Sequence, residues 1–433
     1  MPTNALSPRI LRPEDMDPNW QWDRHIPALG QRSVDFERRV DFDRLRRYRL
    51  SRAREALKNS DCGALLLFDV NNIRYVSGTK IGEWERDKMC RFALLAGDAE
   101  PYVWDFGSAV IHHRMYCDWL DPTHCLAGVT GMRGTIPPSF GLMKTYAEQI
   151  ADLLRQAGVA DMPVGLDYAE TSMFFALQNA GINVVDGQQV MLDAREIKNI
   201  DEIQLLNQAA SMVDGVYHMI YEEMKPGVRE SDIVAKANKM LYEMGSDDVE
   251  AINAISGERC NPHPHNFTDR LFRPGDQAFF DILQSYQGYR TCYYRTLNVG
   301  RATSSQRDAY TKCRQWLDAA IEMIRPGVGT DDVARVWPEA HEFGMPDELT
   351  AFGLQFGHGL GLALHERPII SRVCSLEKPM EIKTGMVFAL ETYCPATDGY
   401  SAARIEEEVV VTDTGCTVIS LFPAEDLPIA NRY

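Results

Sequence analysis

No two of the ten cysteines fall in a C-x-x-C spacing, and the first twenty residues hold no apolar run of the kind that heads a secretory leader, so the thiols are expected to be reduced. Long hydrophobic runs are missing too: none approaches the roughly 18 to 20 residues that a membrane-spanning helix requires. Positive charge is scarce, with 45 Lys and Arg against 62 Asp and Glu and a net charge of −17. Such a chain repels phosphate backbones and anionic lipid surfaces, and its acidic surface favours solubility. These absences set aside nucleic acid and membranes as partners and point to a soluble cytoplasmic protein. What is present is length. A chain of 433 residues exceeds what one core organises, so two domains are expected.

Residues 1–40 are polar and rich in Pro, Asp and Arg, with Trp20 and Trp22 interleaved, a composition that suits an arm lying over a neighbour. From Phe42 the spacing of Leu45, Tyr48, Leu50 and Leu57 predicts an amphipathic helix, followed by a buried strand at 64–68. The alternation recurs as helix 145–156, strand 164–166, helix 172–179 and strand 182–185, which makes 41–193 an α/β domain. A junction is expected near 193, where the charged run Arg195-Glu196-Ile197-Lys198 precedes a long helical pattern at 200–225. Within 194–433, the stretch from Lys225-Pro226-Gly227-Val228 to Ile233 recurs a hundred residues on, from Arg325-Pro326-Gly327-Val328 to Val333. In each copy Pro-Gly stops a helix, and a second helix is expected to start at a Ser or Thr cap with an acid in its first turn. This echo implies two duplicated helix-helix-strand units with a cleft between them.

Phe279-Phe280-Asp281-Ile282-Leu283 sets a carboxylate in an apolar strand, where an unpaired charge costs on the order of several kcal/mol. Candidate companions are His358 in Phe356-Gly357-His358-Gly359-Leu360-Gly361, Glu391 at the end of an apolar run, and one of Glu406, Glu407 and Glu408. Strand alternation puts Glu406 and Glu408 on one face and Glu407 on the other, without choosing among them. Each residue alone is more often a salt-bridged or satisfied core group; four in convergent contexts make a site. Carboxylates with an imidazole suit Mn, Fe, Zn or Co. His263 and His265 in Cys260-Asn261-Pro262-His263-Pro264-His265, and His365 in His365-Glu366-Arg367-Pro368, add groups that titrate near neutrality. Either of the first two serves equally well as a cap on a Pro-rich turn.

These stretches resemble the motifs of the pita-bread family that includes methionine aminopeptidase, aminopeptidase P, prolidase and creatinase, over about residues 45–425. The resemblance implies an α/β (α+β) chain: a creatinase-like N-terminal domain at 41–193, then a pseudo-symmetric pita-bread catalytic domain at 194–433, assembled as a homodimer. In the family's metallopeptidases two aspartates, a histidine and two glutamates hold a metal pair. Asp281, His358, Glu391 and Glu406 match four of these positions, and the resemblance selects Glu406 from the triple glutamate. Cys292 stands at the fifth, that of the bridging aspartate. A carboxylate bridges two hard cations, whereas a thiolate is softer and favours one. The expected cofactor is therefore none, or a single divalent metal (Zn, Fe or Mn) on Asp281, Cys292, His358, Glu391 and Glu406.

Creatinase also lacks the full ligand set and works without metal, using a histidine near the position of His265. By this resemblance the chain is expected to hydrolyse a C–N bond in a small polar or zwitterionic compound, with His265 and His365 moving protons and Glu391 and Glu406 holding the reacting centre. Trp84, Arg86, His263 and Arg295 are the expected substrate contacts, with Arg74, Arg91 and Arg133 as further candidates; an arginine of this kind taken singly is more often a solvated surface charge. Tyr294 replaces a creatinase glutamate, so the resemblance does not extend to creatine itself as the substrate. A dimethylsulfoniopropionate lyase of this fold is similar through Asn72-Ile73-Arg74-Tyr75, Val103-Trp104-Asp105 and 256–262, but carries aspartates where this chain has Leu283, Cys292 and His365. An Xaa-Pro metallopeptidase and a non-catalytic binding member complete the alternatives.

Overall fold

The computed structural model describes residues 40–82, 91–128, 135–262, 264–343, 345–351 and 356–433. The arm expected at 1–40, apart from Val40, and the candidates Trp84, Arg86, Arg133 and His263 lie outside the described residues.

The first helix, α1 (Phe42–Lys58), starts at Asp41, whose carboxylate accepts the N–H groups of Asp43 and Arg44 at 3.0 Å each. Strands β1 (Ala64–Leu67), β2 (Phe92–Ala96), β3 (Tyr102–Asp105), β4 (Cys125–Ala127), β5 (Val164–Leu166) and β6 (Val184–Asp186) form one sheet in the order β4-β3-β2-β1-β5-β6. Between them run α2 (Val70–Ser77), α3 (Gly107–Tyr116), α4 (Leu142–Gln156) and α5 (Thr171–Asn179), and α6 (Gln188–Arg195) follows. Every residue of β1 and β2 is buried, as befits a sheet covered on both faces. Leu65 and Leu67 join Leu57 of α1 on one side, while Ala64 and Leu66 meet Ile150 and Leu154 of α4 on the other.

The second half opens with α7 (Ile200–Glu223), closed at its start by a reciprocal cap between Asn199 and Glu202. After α8 (Glu230–Glu243) come β7 (Asp248–Ser256), β8 (Gln277–Tyr286), β9 (Tyr289–Thr291) and β10 (Tyr294–Val299). The second copy supplies α9 (Ser304–Met323), α10 (Thr330–Ala334), β11 (Gly357–Gly359), β12 (Glu366–Ile370), β13 (Val387–Pro395), β14 (Ala402–Val411) and β15 (Cys416–Val418), and β16 (Ile429–Ala430) returns to β10. Two five-stranded sheets result, β16-β10-β8-β7 with β9 on β8, and β12-β11-β13-β14-β15.

The duplication read from the sequence extends to individual hydrogen bonds. Gly227 N–H donates to Phe272 O at 3.0 Å and Gly327 N–H to Ile382 O at 2.9 Å; Phe272 N–H returns to Val228 O at 2.8 Å and Ile382 N–H to Val328 O at 2.9 Å. Both glycines need the left-handed region, with φ of 90° and 88°. The caps differ from expectation. Asp232 accepts the Arg229 N–H at 3.0 Å, so α8 begins at Glu230 before the serine, and Thr330 spends its hydroxyl accepting the Met380 N–H at 3.0 Å.

The charged run after α6 is no solvated linker. Arg195 and Lys198 are buried, and Lys198 Nζ lies 2.9 Å from Glu366 Oε2 with Arg195 Nε 3.6 Å from Oε1. These pairs tie the junction to the loop that carries His365. No described helix is long and apolar enough to cross a membrane.

Candidate functional site

Alternation along three strands aims one set of side chains at the helices and the other into the space between the two C-terminal sheets. Phe280 and Ile282 pack with Val213 and Val216 of α7, so Asp281 between them points the other way. Phe388 and Leu390 pack with Leu317 of α9, which sends Glu391 inward. Glu391 faces Glu406 directly across the β13–β14 ladder. Glu406 and Glu408 share the inner face, and Glu407 turns outward to Arg314 of α9, its Oε1 2.9 Å from Nη1.

Asp281, Cys292 and Glu406 are all buried, and each offers a ligand atom within 4.8 Å of the other two. The Cys292 thiol donates to Asp281 Oδ1 at 3.7 Å. Asn253 Nδ2 donates to Asp281 Oδ2 at 3.1 Å and to the Tyr294 hydroxyl oxygen at 3.3 Å. His358 Nε2 lies 3.4 Å from Glu391 Oε1, and the rings of His358 and His365 lean together with centroids 4.2 Å apart. His365 and His265 are both exposed.

The glycines around His358 answer to backbone packing. A side chain at Gly357 would meet the Ala389 carbonyl and one at Gly359 the Arg367 carbonyl, because β11 is squeezed between β12 and β13; at Gly361 it would collide with the Glu366 carboxylate.

Arg404, two residues before Glu406 on the same face, was absent from the sequence-derived site. Its Nη2 donates to Glu391 Oε2 at 2.7 Å and to Glu406 Oε1 at 3.2 Å, and its guanidinium carbon sits 4.0 Å from the centroid of the Tyr294 ring. Strand periodicity was the signal that would have found it. Tyr294, opposite Asp281 in the ladder, was likewise missed as a member. Glu408 lies deeper, its Oε1 taking the Cys292 N–H at 2.6 Å and the Thr291 hydroxyl at 2.7 Å, and burial pushes its carboxyl up to about 8.

Arg295 corrects an expectation. It follows Tyr294, so it points to the outer face, where Nη2 donates to Glu407 Oε2 at 2.8 Å and Nε to Phe422 O at 2.9 Å; it is a structural ion pair behind the site. Arg74 and Arg91 are engaged as well, Arg74 3.3 Å from Asp247 and Arg91 2.8 Å from the Thr79 carbonyl oxygen.

Burial, and Glu391 beside it, hold the Glu406 carboxyl well above the usual carboxylate range. Burial raises Glu391 too, but Arg404 and His358 outweigh it and leave that carboxyl below its ordinary value. The two carboxyls are thus shifted in opposite directions, Glu406 up and Glu391 down. Asp281 is pushed up to about 6 by burial against the pull of Arg404. Desolvation and His358 bring His365 down to about 4, and desolvation followed by Arg404 lowers His265.

The donor set suits a cation. Glu406 Oε2 is buried and receives no hydrogen bond among the described residues, and Asp281, Glu406 and Cys292 converge on the same point with His358 and Glu391 beside them. The corner where a carboxylate would span two ions holds a single sulfur.

The description "Metallopeptidase family M24" matches residues 204–413, and "Creatinase/Prolidase N-terminal domain" matches 49–197. A probable dipeptidase PepE of Mycobacterium tuberculosis is 31% identical over 57% of this chain and 64% of its own length, so the chain spans just under two thirds of that relative. Dimethylsulfoniopropionate lyase DddP of Roseovarius nubinhibens is 24% identical over 88% of this chain and 87% of its own. Among solved structures, an Xaa-Pro dipeptidase from Bacillus anthracis covers 88% of this chain and 99% of its own at 19% identity, TM-score 0.70. Dipeptidase PepE from Mycobacterium ulcerans covers 89% and 98% at 22% identity, TM-score 0.71; these likenesses show the fold. A duplicated C-terminal half around inward-facing carboxylates, behind a creatinase-type N-terminal domain, agrees with these matches: residues 204–413 are a metallopeptidase family M24 domain and residues 49–197 a creatinase/prolidase N-terminal domain.

Proposed function

We propose that this chain hydrolyses a C–N bond in a small polar or zwitterionic compound, at the group formed by Asp281, His358, Glu391, Glu406 and Arg404. One observation carries the reading: Glu391 and Glu406 face each other in a buried site with Arg404 bridging both. Two carboxyls shifted in opposite directions supply a base and an acid at the same pH. Glu391, ionised, accepts a proton from water; Glu406, protonated, returns one to the leaving nitrogen. His365, neutral over the physiological range, is an acceptor at the mouth, with His265 as a second relay. Arg404 offsets the negative charge that builds on the carboxylates, and Tyr294 fixes the guanidinium plane. A single divalent metal, if bound, would be held by Asp281, Cys292, Glu406, Glu391 and His358, and would supply polarisation of the scissile group and a more acidic water. The dipeptidase names of the relatives make a short peptide amide the first substrate class to try.

His265→Ala and Glu406→Gln are expected to lower turnover of such a substrate by at least about a hundredfold each while the fold is kept. Near-normal turnover in both variants sinks the assignment.

A second reading has its own support, since the match to the dimethylsulfoniopropionate lyase runs over 88% of this chain and that to the PepE dipeptidase over 57%. Elimination needs only a base, which Glu391 provides. Acrylate and dimethyl sulfide on incubation with dimethylsulfoniopropionate would select it; their absence leaves hydrolysis.

A further inference from the structure

Cys313 of α9 and Cys394 of β13 meet behind the site, on the side of the sheet that faces the helices. Cys394 lies three positions after Glu391, so alternation sends it outward, where it shares one apolar cluster with Cys313, Leu317 and Leu390. Cys313 Sγ is 3.4 Å from the carbonyl oxygen of Ala403, and Ala403 is the residue paired with Cys394 across the ladder. The two thiols are therefore neighbours, close enough for one hydrogen bond between them. Cys313 is fully buried, whereas Cys394 is 5% exposed. The chemistry proposed for the cleft uses neither.

We propose that Cys313 and Cys394 form an intramolecular dithiol–disulfide site that a hydroperoxide oxidises. Cys394, the more accessible, attacks hydrogen peroxide; its sulfur bonds to one oxygen, the O–O bond breaks, and the other oxygen leaves as water. The resulting sulfenic acid is attacked by Cys313, the S–O bond breaks, and hydroxide leaves with the Cys313 proton as a second water. Two electrons pass from the sulfur pair to the peroxide, and an S–S bond remains. Contact with Cys313 lowers the Cys394 thiol from its ordinary value while burial raises Cys313, which favours this order of attack. The link would join α9 to the strand that carries Glu391.

The test needs only the wild-type chain and does not depend on the reaction of the cleft. Reduced protein is exposed to hydrogen peroxide, quenched in acid, denatured, alkylated, and digested at acidic residues without reductant before mass mapping. The expected result is the Cys313 peptide joined to the Cys394 peptide, two hydrogens lighter than the two apart, and separated again by dithiothreitol. In Cys313→Ser, Cys394 is expected to be trapped by dimedone as the sulfenic acid. Full alkylation of both cysteines at a peroxide dose that oxidises the exposed Cys374 would overturn the proposal, as would a link from Cys394 to any other cysteine.

Discussion

Cys292 Sγ lies 3.7 Å from Asp281 Oδ1, the thiol donating to the carboxylate. Burial, reinforced by Asp281 and Glu406, keeps that thiol far above its ordinary pKa, so in the metal-free site it is a proton donor where the family's two-metal members carry an aspartate. Cys292→Asp is expected to raise the binding capacity for Mn by one equivalent per chain, read by elemental analysis after gel filtration. An unchanged capacity would mean that the sulfur is not what limits the site.

Much of this arrangement was legible in the sequence. A carboxylate in an apolar strand, a histidine among glycines and a glutamate closing an apolar run each violate local burial rules, and those violations picked out Asp281, His358 and Glu391. Arg404 and Tyr294 escaped because their partners are set by strand pairing: Arg404 matters only once β13 is laid beside β14, and Tyr294 only once β10 is laid beside β8. Arg295 misled for the same reason, since a shift of one residue turns a side chain to the opposite face. The burial of Arg195 and Lys198 was not legible, because Glu366, which neutralises them, is remote in sequence.

Removing the guanidinium tests how far the site's charge depends on one residue. Arg404→Met leaves Glu391 and Glu406 buried without their shared cation, and a loss of about 3 kcal/mol of unfolding free energy is expected. Urea denaturation gives the value; a loss under about 1 kcal/mol would show that the carboxyls neutralise each other unaided.

Glu366→Gln keeps the shape of the side chain but strands Lys198 and Arg195 in the interior. A destabilisation of about 3 kcal/mol is expected, and the loop bearing His365 should exchange its amide hydrogens faster. Wild-type exchange in that loop would separate the junction from the site.

Asp247 offers a pH signature away from the cleft. Burial raises its carboxyl, but Arg74 and Lys80 outweigh this and hold it below the ordinary value. A depressed folded pKa contributes stability above the unfolded value, about 3.9, and that contribution disappears as pH falls through the folded value. Asp247→Asn should therefore cost about 1 kcal/mol at pH 7, given the partial exposure of the pair, and the gap to wild type should close below about pH 4. A gap that stayed constant with pH would assign the effect to packing.

The account turns on a cleft built for no more than one cation. Purified wild-type protein saturated with Mn or Zn, freed of excess by gel filtration and measured for metal per chain, is expected to hold at most one equivalent. Two equivalents per chain would contradict it.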